Sequence, residues 1–141
     1  MKILMVSPGQ MPVTRDIDED LVSLQSIVGG PIQAVYPFEE RVALICHEEG
    51  KLLGLPLNRC LRWEETGEIY DIIAGTFFLC AAPPNSDHFE SLTPEQIKRY
   101  THRFWCPEYF PRSIMIEKLI RSCFRYGEPT YKEKSAEIRR D

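Results

Sequence analysis

Apolar and polar positions divide the chain into a β-patterned first part and a helix-patterned last part. Ile3-Leu4-Met5-Val6 is a short apolar run closed by Ser7-Pro8-Gly9, which predicts a buried strand and a turn. Pro12 to Ile17 alternates loosely and is expected as its antiparallel partner, because so short a connection leaves no room for a helical crossover. Leu21, Leu24 and Val28 then follow helical spacing. Asp18 is the expected N-cap, with Glu19 and Asp20 in the first turn, where the helix dipole favours negative charge. Gly29-Gly30-Pro31 stops this helix, since glycine accepts the left-handed cap and proline blocks continuation.

Ile32, Ala34, Tyr36 and Phe38 alternate with the period of a half-buried strand. Val42 to Cys46 and Leu52 to Leu55 are two apolar runs separated by His47-Glu48-Glu49-Gly50-Lys51, a pattern that predicts a β-hairpin. Pro56 ends the second strand, and Leu57 to Thr66 reads as a mixed polar connection. Ile69 to Ala82 is the richest β segment, with Gly75 at a bulge or close approach. Pro83-Pro84-Asn85-Ser86 breaks it.

Helical spacing takes over after residue 86. Thr93-Pro94-Glu95-Gln96 combines a cap, a proline at the first helical position and a capping-box glutamine. Ile97, Tyr100, Phe104 and Trp105 form its apolar stripe, and Cys106-Pro107 ends it. Ser113 caps a second predicted helix with the stripe Ile116, Leu119, Ile120, Cys123 and Phe124, stopped by Gly127-Glu128-Pro129. The expected class is α+β: a mostly antiparallel sheet, one early helix and a two-helix C-terminal region. All of 1–141 is expected as one domain, with an α+β core over 1–86, a helical region over 87–128 and a frayed tail over 129–141.

Composition narrows the function classes. With 43% hydrophobic and 27% charged residues the 141-residue chain falls outside the disordered class, and a net charge of −4 argues against a surface built wholly for nucleic acid. The charge is uneven, however. Residues 98–125 hold seven basic side chains against Glu108 and Glu117, interleaved with aromatics such as Tyr100, Phe104 and Trp105. This is how a nucleic-acid surface begins, and it is equally the solvated side of two amphipathic helices. The four apolar residues after Lys2 are too few for a signal-peptide core, the uncharged stretch Ile72 to Ser86 is shorter than a membrane span, and five cysteines at irregular spacings point to free thiols in a reducing cytoplasm.

Motifs for chemistry are sparse. No phosphate-binding glycine loop, nucleophile elbow, zinc knuckle or calcium loop is present, so no cofactor and no metal are expected. Cys46-His47 reads as a buried cysteine beside a polar histidine at a strand end. Cys60 and Cys80 read as structural. Asn58 and Arg59 stand out because they directly follow an apolar run, where a rigid rim would present an arginine fork to phosphate or carboxylate. Lys51 and Thr76 are the expected neighbours of that site. The competing role for Arg59 is a surface ion pair with Glu48 or Glu65.

Several motifs in one order carry a resemblance. These are Leu24-Gln25-x-Ile27-Val28-Gly29-Gly30-x-Ile32-Gln33-Ala34-Val35, then Glu48-Glu49-Gly50-Lys51, Gly54-Leu55-Pro56-Leu57-Asn58-Arg59 and Ile73-Ala74-Gly75-Thr76. Over about residues 3–84 the chain resembles the domain-of-unknown-function family numbered 3846. The resemblance implies a small phage or mobile-element protein and brings no activity, catalytic residue or cofactor. His47 stands where asparagine is expected in the turn. The functional expectation is a non-enzymatic binding or regulatory module, taking an anionic small molecule or a protein partner and not a membrane. A nucleic-acid-binding accessory protein using the 98–125 helices is one alternative. A small enzyme with a cysteine- or histidine-containing site is the other. The sequence leaves the oligomeric state open.

Overall fold

A computed structural model describes residues 1–110 of the chain. In order, the elements are β1 (Lys2–Val6), β2 (Val13–Asp16), α1 (Leu21–Val28), β3 (Ile32–Val35), β4 (Val42–His47), β5 (Leu57–Arg62), β6 (Ile69–Ala74), β7 (Phe77–Ala81) and α2 (Pro94–Arg103). A five-stranded sheet has the order β2-β1-β7-β4-β3, and β5 and β6 form a separate two-stranded ribbon. Every pairing is antiparallel. The α+β class therefore holds for the described residues. The predicted second C-terminal helix, the 129–141 tail and Cys123 lie outside them.

The large sheet is covered on both faces, which is why its central strands read as unbroken apolar runs. Leu4, Val6, Leu44 and Leu79 pack with Leu61 and Ile73 of the ribbon and with Tyr100 and Phe104. Ile3, Ala43, Ile45 and Phe78 face the other way and pack with Leu24 and Val28 of α1. Each strand thus sends alternate side chains into two different cores. At the start of α2, Thr93 and Gln96 form the predicted reciprocal cap, with Pro94 in the first turn. Gly29 closes α1 in the left-handed conformation at φ 87°.

Several expectations are corrected. The N-cap of α1 is Asp20 and not Asp18, its side chain makes no capping bond, and the first turn holds no acidic residue. The β ladder causes the shift: Ile17 still exchanges backbone hydrogen bonds with Met1, so the next residues must first leave the sheet edge. The hairpin between 42–46 and 52–55 does not form. Both sides of β4 are occupied, by β3 and by β7, so a further partner has nowhere to pair. Residues 48–54 coil through turns instead, and the next strand is β5, in the stretch expected to be a connection. Residues 69–82 are two strands in different sheets, and Gly75, at φ +83°, is where the chain crosses between them. Trp105 is half-exposed beyond the end of α2, while Ile97, Tyr100 and Phe104 keep the predicted stripe. No helix among the described residues is long and apolar enough to cross a membrane.

Candidate functional site

Residues 48–56 form the most conspicuous loop, and its base is fixed from several directions. The Leu55 amide donates to the Gly50 carbonyl at 3.0 Å, and the Gly75 amide donates to the Pro56 carbonyl at 2.7 Å. Gly50 lies so close to β6 that an added Cβ would stand 2.8 Å from the Ala74 carbonyl oxygen. Lys51 donates from Nζ to Oδ1 of buried Asp71, which also accepts from the Ile72 amide at 2.8 Å. Before the loop, His47 accepts the Glu49 amide hydrogen at Nδ1, 3.0 Å away. The other side of its ring packs against Gly30, where a Cβ would meet Nε2 at 2.5 Å.

The tip of this anchored loop is apolar. Leu52 and Leu53 are 78% and 58% exposed. Beside the tip opens a cleft of about 270 Å³, walled by Gln33, Cys46, Glu48, Lys51, Leu52 and Ala74, among others. Rigid base, apolar tip and adjoining cleft make a surface suited to holding another molecule. The sequence pattern makes Lys51 a neighbour of Asn58 and Arg59, not part of this cleft, and reads the leucines as a strand. Their position between Gly50 and Gly54, with only a few residues to span, was the available signal.

Asn58 and Arg59 sit in the interior and not on a rim, at 0% and 1% exposure. Asn58 donates from Nδ2 to the Val6 and Gly75 carbonyls at 2.8 and 2.9 Å. Its Oδ1 accepts from Arg59 Nη1 at 2.9 Å. Arg59 donates from Nη2 to the Gln10 carbonyl at 2.6 Å, and from Nε and Nη2 to the Phe104 carbonyl at 3.2 and 2.9 Å. Neither the rim position nor the competing surface pair with Glu48 or Glu65 is what Arg59 adopts; this set of oxygens takes their place. Phe104 is the C-cap of α2, so the guanidinium also meets the negative end of the helix dipole. Burial pulls the Arg59 pKa down, and Glu108 and Cys106 oppose that shift. Thr76 is half-buried and donates to Ser7 Oγ at 3.3 Å. The structure thus brings Asn58 and Arg59 together as an internal brace, with Lys51 in the cleft wall.

Glu40 organises the base of α2. It accepts from Tyr100, Arg99 and Gln96. Burial works to raise its pKa, but those hydrogen bonds outweigh it and hold the carboxyl below its ordinary value. Burial and then the Glu40 carboxylate push the Tyr100 hydroxyl well up. Arg103 pairs with Glu64 at 2.9 Å and lies over the Phe38 ring. Arg99 and Arg103, two of the basic residues behind the nucleic-acid alternative, are therefore engaged with carboxylates of the same chain.

Cys60 and Cys80, which the sequence reads as structural, do not line the cleft. Cys80 is fully buried, and Cys60 donates its amide to Glu108 Oε2 at 2.8 Å. Cys46 and His47 both line the cleft, with side chains that leave β4 on opposite faces. Among the described residues no group of three or more His, Cys, Asp or Glu side chains is placed to hold a metal ion.

Comparison with known proteins adds one match: the family model described as domain of unknown function (DUF3846) matches residues 1–105. No curated protein and no solved structure matches the chain.

Proposed function

This chain belongs to the DUF3846 family, and we propose that it is a non-enzymatic binding or regulatory module of phage or mobile-element origin, acting in the cytoplasm. Its binding surface is the 48–55 loop with the adjoining cleft, and its partner is a protein. One observation carries this reading. Two adjacent leucines stand exposed on a loop whose base is fixed by a buried ion pair and by backbone hydrogen bonds. Exposed apolar side chains on a mobile loop would fold back onto the protein; here the anchored base holds them outward, ready for a partner. Asn58 and Arg59 serve the site from behind, by fixing β5 against β1 and α2. The irregular cysteine spacings support the cytoplasmic setting.

The test uses the full chain, tagged and crosslinked in its producing cells, beside a Leu52→Ser/Leu53→Ser variant. Both residues are exposed, so circular dichroism should be unchanged. A protein crosslinked to the parent chain and lost from the variant is the expected result. The same crosslinks from both chains would refute the reading.

A further inference from the structure

We propose that the surface of the 48–55 loop is occupied, until a partner takes it, by the chain's own 113–126 segment, which lays the apolar stripe of an amphipathic helix on Leu52 and Leu53. This regulation rests on the loop being the binding surface and gives that surface an occupant from the same chain. The course of the last described residues points to it. Glu108 accepts the Cys60 amide hydrogen at Oε2, 2.8 Å away, and Arg62 Nη2 at Oε1, 3.3 Å away, so the stretch after α2 is held along β5. Phe110 then packs against the cluster of Leu57, Ile72 and Ala74, on the face of the ribbon opposite Leu61 and Ile73. Leu55 of the loop lies in that same cluster and is, like Phe110, only partly buried. The chain therefore leaves the described residues beside the loop, across an apolar face that is not fully covered.

The sequence that follows fits that surface. Residues 113–126, outside the described residues, carry Ile116, Leu119, Ile120, Cys123 and Phe124 at the spacing of one helix side, the anchor pattern of a helix seated on an apolar surface. Lys118, Arg121 and Arg125 fall on the opposite side of that helix and would stay in water. The segment is long enough. A helix over 113–126 measures about 20 Å, while Leu52 lies three residues from Leu55, at most ~10 Å of chain. Tethering makes the docking intramolecular, so a weak contact is enough to hold it. Net charge favours it too: residues 1–110 carry nine basic against sixteen acidic side chains, net −7, and residues 111–141 carry eight against five, net +3. Docking would take from water the two large apolar side chains that the loop exposes.

The experiment compares backbone amide resonances of the full isotope-labelled chain with those of an Ile116→Ser/Leu119→Ser/Ile120→Ser variant. The substitutions lie outside the described core, so unchanged resonances in β1, β4 and β7 verify the fold. Shifts at Gly50 to Leu55, with faster amide exchange there, are expected. Reciprocally, Leu52→Ser/Leu53→Ser should shift the amides of Ile116 to Phe124 and leave the same three strands unmoved. Amides at 50–55 that keep their positions in the first variant, or shifts confined to another face, would overturn the proposal. A difference between parent and variant that vanishes on dilution would do the same, since a second copy would then supply the segment. If the 50–55 amides stay in place while the crosslinked partner still depends on Leu52 and Leu53, the docked segment is wrong and the loop reading stands. If the reciprocal shifts appear but no crosslinked protein depends on the leucines, the segment is the occupant and the external partner is wrong.

Discussion

Arg59 donates twice to the carbonyl oxygen of Phe104, from Nε at 3.2 Å and from Nη2 at 2.9 Å, across 45 residues of sequence. The same guanidinium reaches the Gln10 carbonyl at 2.6 Å, so one side chain ties the ribbon to the β1–β2 turn and to the end of α2. A planar fork with five donors suits several converging carbonyls, and lysine, a compact charge with three rotatable donors, does not reproduce it.

Arg59→Ala is expected to destabilise the fold by roughly 3 kcal/mol or more, because the buried Phe104 carbonyl and the buried Asn58 Oδ1 lose their donor and the side-chain stem loses its packing. Arg59→Lys should recover only part of that loss. Urea unfolding of both variants checks this, and a cost below about 1 kcal/mol would place Arg59 among ordinary surface ion pairs.

Asp71 and Lys51 present a different balance. The Asp71 side chain is only 2% exposed and that of Lys51 13%. Removing one partner leaves the other charge in the interior, so Lys51→Met should cost about 3–5 kcal/mol. A Lys51→Met/Asp71→Leu double variant should cost less than the sum of the single changes. Denaturation of the four proteins gives the coupling directly, and additive losses would show that the pair does not act as a unit.

Gly50→Ala should loosen the loop without touching its tip. Its Cβ would stand 2.8 Å from the Ala74 carbonyl, a contact that backbone must yield to relieve. We expect a loss of about 1–3 kcal/mol and faster amide exchange at Gly50 and Leu55. Gly54→Ala offers a contrast: its φ is +70° but no atom lies within 4 Å of the added Cβ, so only backbone strain opposes it.

Glu40 sets an acid-side dependence. Its folded pKa lies below the ordinary 4.5. Its contribution is thus fully present above the unfolded value and is lost as pH falls through the lower folded pKa. The difference in stability between the parent chain and Glu40→Gln should be constant near neutrality and shrink on acidification below 4.5. A difference that persisted unchanged into strong acid would show that ionisation of Glu40 is not what α2 relies on.

The Thr93 cap offers a local test. Thr93→Ala removes the acceptor of the Gln96 amide, a 3.2 Å bond, and should cost about 1 kcal/mol, read by thermal unfolding.

Features that depend on near neighbours are legible in the chain's local pattern. The α2 cap, the left-handed end of α1 and the burial of Val42 to Cys46 each follow from a few adjacent residues, because caps and side-chain periodicity act over one or two turns. Tertiary structure alone decided which apolar run pairs with which. Leu52-Leu53 looks like a strand in isolation, yet β3 and β7 already occupy both edges of β4, so the leucines are left exposed on a loop. Asn58 and Arg59 look like surface residues for the same reason. The carbonyls that make their burial tolerable come from Val6, Gln10, Gly75 and Phe104, and no local pattern reveals that these distant groups converge.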